Sequence, residues 1–405
     1  MPSILTMHNP IQNYAWGSKS LLASFLGQTA PSRRPQAELW MGAHTQAPSQ
    51  VWLQGDWQSL DQVIARDPNL MLGTRNIERF GPQLPFLLKV LAVEKPLSLQ
   101  VHPNAQQAGT GFQEEESRAV PFRSPERNFK DQNPKPECLY ALEPFWGLNG
   151  FCPPEHIAKW FSRLAPKALK AEIEILASNP PQAALSAMLD SLLHINNRRR
   201  QEVLEQIHTK ISSESGAQKT DPRYWLAVLL EEYPEDIGVL AAVFLQLMHL
   251  QPGEAAFLPP GRLHAYLSGL GLELMANSDN VLRAGLTPKH IDVSKLLRVL
   301  RFEHSPIKPL RAEPDEEGEA WLGNMTEEFA LSVLDLGPEN SRVRRLSKSI
   351  EILFCAFGEL EVIDEQSGGQ TRLQQGESVC IPACVSAWSL SGQGRVFRAC
   401  PDMGV

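Results

Sequence analysis

One short segment of the chain places two potential metal ligands side by side. The residues from Leu97 to Pro103 alternate between apolar and polar side chains, as the two faces of an extended strand do. Gln100 and His102 therefore lie on the same face, with an amide oxygen beside an imidazole nitrogen. A divalent metal needs such neutral ligands together with an anionic ligand from another part of the chain. The segment thus predicts part of a metal site.

Two further residues can complete such a site. Glu137 begins a predicted strand, and His264 follows a Pro-Pro-Gly turn. One carboxylate with two imidazoles and an amide neutralises only part of a divalent charge, which leaves a Lewis acid for a substrate oxygen. A lone histidine on a strand, or a lone glutamate beside a proline, is more often an ordinary hydrogen-bonded or solvated side chain. Spacing alone leaves both interpretations open.

Basic side chains occur in the same segments as the candidate ligands. They are Lys89, Lys135, Arg283 and Lys289. Lys89 lies in the apolar stretch 84–93, where an ammonium group is costly to bury unless an anion meets it. In an acidic protein these cations predict an anionic substrate such as a sugar phosphate. The alternative is a set of ordinary ion pairs, with Asp279 or Glu273 as partners.

The composition is that of a globular protein and excludes several classes. The chain has 405 residues, of which 42% are hydrophobic and 21% charged, enough for two or three domains. Its net charge of -8 argues against a nucleic-acid surface, because such surfaces depend on clustered Lys and Arg. There is no apolar run of membrane-spanning length, no signal-peptide pattern and no CxxC pair among six cysteines. We therefore expect a cytoplasmic protein without nucleic-acid or membrane partners.

Three types of segment are expected along the chain. Residues 1–151 and 236–303 consist mainly of short extended segments punctuated by Pro and Gly, which is typical of β-sheets. Residues 152–235 carry apolar side chains at helical spacing. A Pro-rich and acidic stretch at 304–320 predicts a linker, and short strands follow within 316–405. The predicted fold class is therefore mainly β with a helical insertion.

Two local connections and one repeat are predicted within these segments. The polar stretch 104–133 is long for a connection and predicts a lid or binding loop. Residues 268–271 predict a turn between two strands.

Residues 376–382 repeat the pattern of residues 253–259, a Gly-Glu turn followed by an apolar strand and Pro, which predicts a second small β-barrel. The last histidine is His304, so we expect no similar metal site in that barrel and assign it a structural role.

Six segments of the chain carry a specific pattern of residues, namely 12–17, 37–44, 84–91, 96–103, 135–137 and 277–289. Their residues and their order resemble those of the type I mannose-6-phosphate isomerases, a zinc-dependent cupin family. The matching segments lie in the first 150 residues and again between about 237 and 300. The resemblance implies a catalytic cupin domain built as a jelly-roll β-barrel, an α-helical domain and a second, C-terminal cupin-like β-barrel.

The resemblance also implies a reaction and a set of site residues. The reaction is the reversible aldose–ketose isomerisation of D-mannose 6-phosphate and D-fructose 6-phosphate through an enediol. One zinc ion would be held by Gln100, His102, Glu137 and His264. Catalytic roles are implied for Arg283, Lys135, Glu273 and Asp279, and substrate binding for Lys89, Lys289 and Trp16. We expect a monomer that binds these small sugar phosphates.

The base that moves the proton between C1 and C2 stays open. Glu273 is a carboxylate candidate and Lys135 an amine candidate, whereas Arg283 remains protonated and would stabilise charge. Bacterial relatives commonly have a histidine immediately before the Lys-Pro-Glu segment, where this chain has Pro134. If that histidine carries a proton in the relatives, another group must do so here.

Two other functions fit parts of the pattern. Two histidines and a glutamate can hold iron in an oxygenase, although the glutamine and the cations favour the isomerase. A sugar-phosphate sensor without catalysis can use the same fold, because a fold does not fix a function, and Pro134 leaves this alternative open. Oxygen uptake with bound iron would indicate the oxygenase, and binding without turnover the sensor.

Overall fold

Two large antiparallel sheets make up most of the protein, with helices inserted between strands. The computed structural model describes residues 3–178, 180–214, 216–315, 318–323, 325–337 and 342–402. The predicted boundaries at residues 1, 316 and 405 lie outside these ranges. The architecture confirms the predicted class, mainly β with helices.

The first part of the chain alternates short strands with short helices. Its strands are β1 (Leu5–His8), β2 (Ile11–Gln12), β3 (Glu38–Met41), β4 (Gln50–Leu53), β5 (Asp56–Ser59), β6 (Phe86–Val93), β7 (Leu99–Val101), β8 (Glu137–Ala141) and β9 (Phe145–Phe151). Its helices are α1 (Leu21–Phe25), α2 (Leu60–Arg66), α3 (Pro68–Leu72), α4 (Thr74–Phe80) and α5 (Ala105–Ser117). Strand β6 is buried along its whole length, as its apolar sequence predicts.

Helix α5 occupies much of the polar stretch that we predicted as a long loop. Its start is fixed by a capping box, in which Asn104 and Gln107 each accept the backbone N–H of the other with their side chains. The helix buries the carboxylate of Glu115 instead of an apolar stripe, so it lacks the usual helical periodicity. The loop prediction was therefore wrong for residues 105–117, and only residues 118–133 are irregular.

The middle of the chain forms the helical insertion. It contains α6 (Pro154–Leu164), α7 (Lys170–Leu176), α8 (Pro181–Leu193), α9 (Asn197–Ser212), α10 (Pro222–Glu232), a 3₁₀ helix (Ile237–Leu240) and α11 (Ala241–Phe244). Helices α6, α8 and α10 each begin with proline, which has no N–H to leave unpaired there. Their apolar faces share a core with β7 and β9, for example Phe161 and Leu189 with Leu99 and Leu148. The helices therefore support the strands that carry the candidate ligands.

The chain then returns to the sheet that carries the site. The elements are β10 (Leu245–Leu250), β11 (Glu254–Leu258), β12 (His264–Ala276), β13 (Leu282–Gly285) and helix α12 (Val293–Val299). β12 is one strand of 13 residues, so the predicted turn at 268–271 was wrong. At Gly269, where φ is +137°, a Cβ would lie 2.7 Å from the carbonyl oxygen of Pro144. The glycine permits close approach of neighbouring backbone while β12 changes its pairing from β9 to β6 and β8.

The last part of the chain is almost entirely β. Its strands are β14 (Leu310–Arg311), β15 (Glu313–Pro314), β16 (Glu319–Trp321), β17 (Ala330–Leu336), β18 (Arg342–Leu346), β19 (Glu351–Asp364), β20 (Gln370–Gln374), β21 (Ser378–Ile381) and β22 (Ala387–Cys400). Short strands thus occupy part of the predicted linker. The first strand of the chain, β1, pairs with β21 and joins this sheet.

The two sheets pack on each other. One follows the order β15-β16-β17-β22-β19-β21-β1-β4-β5, and the other β14-β11-β8-β12-β6-β3-β2, each with further strands at its branches. Among the described residues these pairings close neither sheet into a continuous barrel. Leu88 and Leu272 from one sheet share a core with Phe354 and Phe397 from the other. The core shared with the other sheet therefore supports strands β6, β8 and β12.

The repeat that the sequence predicts is present in both sheets. The Gly253 N–H donates to the Ala141 carbonyl at 3.0 Å, and the Gly376 N–H donates to the Cys355 carbonyl at 2.8 Å. The glutamate that follows each glycine accepts a backbone N–H three residues earlier in the chain. The two turns are therefore built by the same contacts and define equivalent positions in the two sheets.

Candidate metal centre and active site

Three buried side chains from three segments meet at one point. His102 follows β7, Glu137 begins β8 and His264 begins β12, and their ligand atoms all lie within 4.8 Å of one another. His102 Nε2 is 3.3 Å from Glu137 Oε1, and His264 Nε2 is 3.4 Å from Glu137 Oε2. Gln100 lies opposite His264 where β7 pairs with β12, and it lines the cleft beside this cluster. The structure thus brings the four candidate ligands into one neighbourhood.

The hydrogen bonds of the two imidazoles leave both Nε2 atoms available to a cation. His102 Nδ1 donates to the Asn280 carbonyl at 2.7 Å, and His264 Nδ1 donates to the Arg262 carbonyl at 3.0 Å. Because a carbonyl only accepts, Nδ1 carries a proton in each ring, and in the neutral imidazole Nε2 then has a free lone pair. These lone pairs point at the oxygens of a carboxylate, which is repulsive unless a cation lies between them. The donor set therefore fits a divalent metal such as zinc.

Burial and nearby charge keep these groups in the forms that bind metal. Burial, together with the Lys135 ammonium, lowers the pKa of His102 to about 4, so the ring is neutral at neutral pH. Burial alone would raise the pKa of Glu137, but nearby positive charge, including the Lys135 ammonium, holds it well below its usual range. Lys135 Nζ lies 3.2 Å from Glu137 Oε1. A carboxylate and neutral imidazoles are the ligand states that a metal requires.

A row of charged side chains crosses β3, β6 and β12 beside this cluster. Lys89 Nζ lies 3.4 Å from Glu38 Oε2 and 3.4 Å from Glu273 Oε2. Burial would lower the pKa of Lys89, yet Glu38 and Glu273 raise it above its ordinary value, so the ammonium stays charged. The two carboxylates thus offset the cost of burying a cation in an apolar strand.

Glu273 has the environment of a group that exchanges a proton. Its Oε1 accepts a hydrogen bond from the Tyr266 hydroxyl at 3.0 Å, and its other oxygen faces Lys89. Burial and the Glu137 carboxylate raise the pKa of Glu273, although Lys89 opposes them. A carboxyl group with a raised pKa is better matched to proton transfer near neutral pH than an ordinary glutamate.

Three cations line the outer part of the cleft without an ion-pair partner among the described residues. They are Lys130, Arg283 and Lys289. The positive charge of Arg283 is the largest influence that lowers the pKa of Lys289, followed by burial and the charge of Lys130. Arg283 lies opposite Gln100 where β13 pairs with β7, so this group adjoins the candidate metal ligands. Like charges held together in this way favour an anionic ligand between them.

Most of these groups line one cleft of about 440 Å³, a size usual for small-molecule sites. The predicted site residues on its walls are Trp16, Lys89, Gln100, Lys135, Asp279, Arg283 and Lys289. The other four, His102, Glu137, His264 and Glu273, are buried behind Lys89 and Lys135. The structure therefore groups every predicted site residue around a single cavity.

Several residues of this cleft were missed at the sequence level. Glu38 and His44 lie in the matched segment 37–44, but neither was given a role. Lys130 lies in the stretch predicted as a loop. Asn280 is fully buried, and its side-chain oxygen accepts the N–H of Lys130 while its carbonyl holds His102. Only the matched segments pointed to Glu38, His44 and Asn280, and nothing in the sequence pointed to Lys130, because the contacts of these residues join distant parts of the chain.

Family models match both ends of the chain. Residues 4–154 match the model described as phosphomannose isomerase type I, catalytic domain. Residues 323–401 match the model described as mannose-6-phosphate isomerase, cupin domain. The second match confirms the predicted cupin-like C-terminal region.

Curated relatives match nearly the whole chain. A mannose-6-phosphate isomerase of Escherichia coli (strain K12) is 39% identical over 393 residues, covering 96% of this chain and 97% of its own length. A mannose-6-phosphate isomerase of Homo sapiens is 35% identical over 340 residues, covering 78% of each chain.

Solved structures match equally closely. A variant of phosphomannose isomerase from Salmonella typhimurium superposes with a TM-score of 0.90 at 36% identity, over 99% of this chain and 100% of that chain. A zinc-bound mannose 6-phosphate isomerase gives a TM-score of 0.90 at 37% identity with the same coverage. None of the helices described here is long and apolar enough to cross a membrane.

Proposed function

The chain belongs to the type I phosphomannose isomerase family, and from this we propose that its cleft catalyses the reversible isomerisation of D-mannose 6-phosphate and D-fructose 6-phosphate. One observation carries the proposal: a metal-type ligand set, a buried carboxyl group of raised pKa and a group of unpaired cations share one cavity. Each meets one demand of the reaction, namely binding sugar oxygens, moving a proton and holding a phosphate.

Gln100, His102, Glu137 and His264 hold one zinc ion in this proposal. When bound, the ion polarises substrate oxygens and stabilises the negative charge that develops on them. The support is the geometry, in which two neutral imidazoles aim their free nitrogens at one ionised carboxylate. The backbone carbonyls that accept from the two Nδ1 atoms fix the orientation of the rings.

The unpaired cations bind the phosphate, and the inner part of the cleft holds the sugar. Lys289 and Lys130 form the anion site at the outer end, and Arg283 lies next to them toward the candidate metal ligands. Trp16 and Lys89 also line the cleft, and Lys89 contacts the buried carboxylate of Glu273. Because both ends of the substrate are fixed, positioning supplies much of the barrier reduction.

Glu273 is the base in this proposal. As a carboxylate it takes the proton from C2 of the open-chain aldose, and as the resulting acid it returns the proton to C1, while the hydroxyl proton passes from O2 to O1. Tyr266 and Lys89 hold its two oxygens in place. Lys135 and Arg283 balance the charge on the substrate oxygens, and Lys135 remains the alternative base because it too lies beside the candidate metal ligands.

A coupled assay for fructose 6-phosphate formed from mannose 6-phosphate tests the proposal. Protein of known metal content is assayed before and after treatment with a chelator, and again after zinc is restored. We expect activity that disappears with the metal and returns with zinc. Zinc-loaded protein that binds sugar phosphate without turnover would favour the sensor, and oxygen uptake with bound iron would favour the oxygenase.

We infer further that residues 1–151 and 236–303 form a catalytic domain, 152–235 a helical domain and 316–405 a C-terminal domain. One matched family model ends at residue 154, near the boundary at 151, and the other begins at residue 323, near the boundary at 316. The pairing of β1 with β21 shows that the first strand nevertheless lies on the C-terminal sheet. Limited proteolysis tests this division.

We also propose a cytoplasmic monomer without nucleic-acid or membrane partners. Cys138, Cys355, Cys380 and Cys400 are buried free thiols, as is common in reducing compartments. Each group of the proposed site comes from one chain. Size-exclusion chromatography with light scattering tests the oligomeric state.

A further inference from the structure

A second polar cluster lies in the cleft, and the mechanism above leaves it unused. It consists of His44, Gln46 and Asp279, all of which line the cavity. His44 follows β3 and packs edge-on against the Trp40 ring, with 5.0 Å between ring centroids. Asp279 lies in the connection from β12 to β13. The cluster therefore joins two segments that are distant in sequence on one wall of the cleft.

The backbone fixes which nitrogen of His44 carries the proton. The Gln46 N–H donates to His44 Nδ1 at 3.3 Å, so Nδ1 must be an acceptor. In the neutral ring the proton is then on Nε2. Nε2 lies 3.4 Å from Asp279 Oδ1, so its proton faces the carboxylate. The Gln46 side chain donates to the other oxygen, Oδ2, at 2.8 Å.

The arrangement presents an ionised carboxylate to the cavity. The side chain of Asp279 is 27% exposed and that of His44 only 6%, so the imidazole lies behind the carboxylate. The Asp279 N–H donates to Asp131 Oδ2 at 2.8 Å, which anchors the backbone. Burial alone would raise the pKa of Asp279, but His44 and Lys130 hold it below its ordinary value. Each carboxylate oxygen keeps lone pairs that can accept from a ligand hydroxyl.

We propose that His44 is a positioning residue which, together with Gln46, holds Asp279 as a hydrogen-bond acceptor for a hydroxyl of the bound hexose. This inference rests on the proposed function, because it needs a sugar in the cleft. Removing the Nε2–H donor frees the Asp279 side chain to rotate and leaves Oδ1 without its protein partner. The sugar is then held less precisely at the reacting carbons.

A double-mutant cycle between His44 and Asp279 tests the proposal. His44→Leu is expected to lower kcat/KM by roughly 10–100-fold, the effect of losing one outer hydrogen-bond partner of a site. Asp279→Asn is expected to lower it at least as far. The double variant should be no worse than Asp279→Asn alone, because His44 acts only through Asp279. Zinc content should stay at the wild-type value in all three.

Two further variants distinguish positioning from general support of the fold. His44→Gln retains an amide donor and should recover part of the kcat/KM lost in His44→Leu. If His44→Leu is unstable, His44→Gln replaces it in the double-mutant cycle. His8→Leu is the matched control, since His8 lies on β1 against Trp57 and outside the cleft. It should leave kcat/KM unchanged.

Three outcomes would overturn the proposal. Losses that multiply in the double variant would show that His44 acts independently of Asp279. Loss of zinc in His44→Leu and His44→Gln alike would assign His44 to the metal centre. Wild-type protein without isomerase activity would refute the proposed function and this inference with it, whereas active wild-type protein with multiplying losses refutes the inference alone.

Discussion

Glu137 and Glu351 occupy equivalent positions in the two sheets and have opposite surroundings. Glu137 lies opposite Leu258 on β11, and Glu351 lies opposite Ile381 on β21. The repeated Gly-Glu turns place Leu258 and Ile381 five residues after their glycines. The first carboxylate faces the free nitrogens of two histidines as well as the Lys135 ammonium, whereas the second carboxylate accepts hydrogen bonds from the Arg398 guanidinium and the Trp388 indole.

The neighbouring strand explains the difference. Glu273 lies opposite Leu139 in the first sheet, and Arg398 lies opposite the equivalent residue, Leu353, in the second. At equivalent positions, the catalytic sheet therefore has a carboxylate and the second sheet has a guanidinium group. Arg398 donates to both oxygens of Glu351 at 2.9 Å, and the Trp388 indole also donates to Glu351 at 3.1 Å.

Arg398 belongs to a network of buried charges. It also binds Glu319 at 3.0 Å, and Arg345 donates to the same carboxylate at 2.7 Å. Two carboxylates and two guanidinium groups therefore neutralise each other inside the second sheet. The comparison shows that one scaffold position becomes either a metal ligand or part of a salt-bridge network, depending on a few neighbouring side chains.

The largest expected effect comes from Glu137→Gln, which removes the anionic member of the proposed ligand set. Zinc content should fall from one ion per chain toward zero, and turnover should fall by about 10³-fold or more because the charge stabilisation goes with the ion. Metal analysis and the coupled assay measure the two effects. A variant that retains full zinc would contradict the assigned ligand set.

Glu273→Gln separates the chemistry from metal binding within the first sheet. The amide keeps the shape of the side chain but cannot carry a proton, so kcat should fall by about 10²–10⁴-fold with zinc retained. Glu273 is outside the proposed ligand set, which makes the zinc content an internal control. A loss smaller than about 10-fold would transfer the role of base to Lys135.

Glu351→Gln is the counterpart of Glu137→Gln in the second sheet. It leaves Arg398 with one fewer carboxylate in a buried network, so the free energy of unfolding should fall by about 3–5 kcal/mol. Zinc content and turnover per folded molecule should not change. Chemical denaturation and the coupled assay together check this, and loss of zinc without loss of stability would refute the structural role.

The smallest effects are expected at the two equivalent turns. Gly253 has φ near +91° and Gly376 near +86°, so alanine at either position should cost about 1–2 kcal/mol of unfolding free energy. Gly376→Ala should cost more, because its Cβ would lie 2.7 Å from Leu26 Cδ2. A Cβ at Gly253 would lie 3.8 Å from the nearest atom. Denaturation midpoints measure both, and the reverse order would contradict the packing seen here.

The sequence predicted those parts of the site that lie within one strand. Alternation placed Gln100 and His102 on one face because both belong to the same segment. Glu137 and His264 reach that point only through pairing among β7, β8 and β12, and pairing between distant strands leaves no local signal. The family resemblance therefore supplied the ligand set that periodicity left open.

The errors in the fold have local physical causes. Helix α5 was missed because it buries Glu115, which pairs with Lys295, where most helices bury apolar residues. The turn predicted within β12 was wrong because Gly269 serves close packing rather than chain reversal. In both cases a tertiary contact determined the role of a residue that sequence patterns interpret locally.

The most direct test of the comparison is an anomalous difference map from a crystal of the zinc-loaded protein, measured at the zinc absorption edge. The account predicts one peak per chain, enclosed by Gln100, His102, Glu137 and His264, and no peak beside Glu351. A peak beside Glu351, or a zinc ion away from the His102–Glu137–His264 cluster, would contradict it.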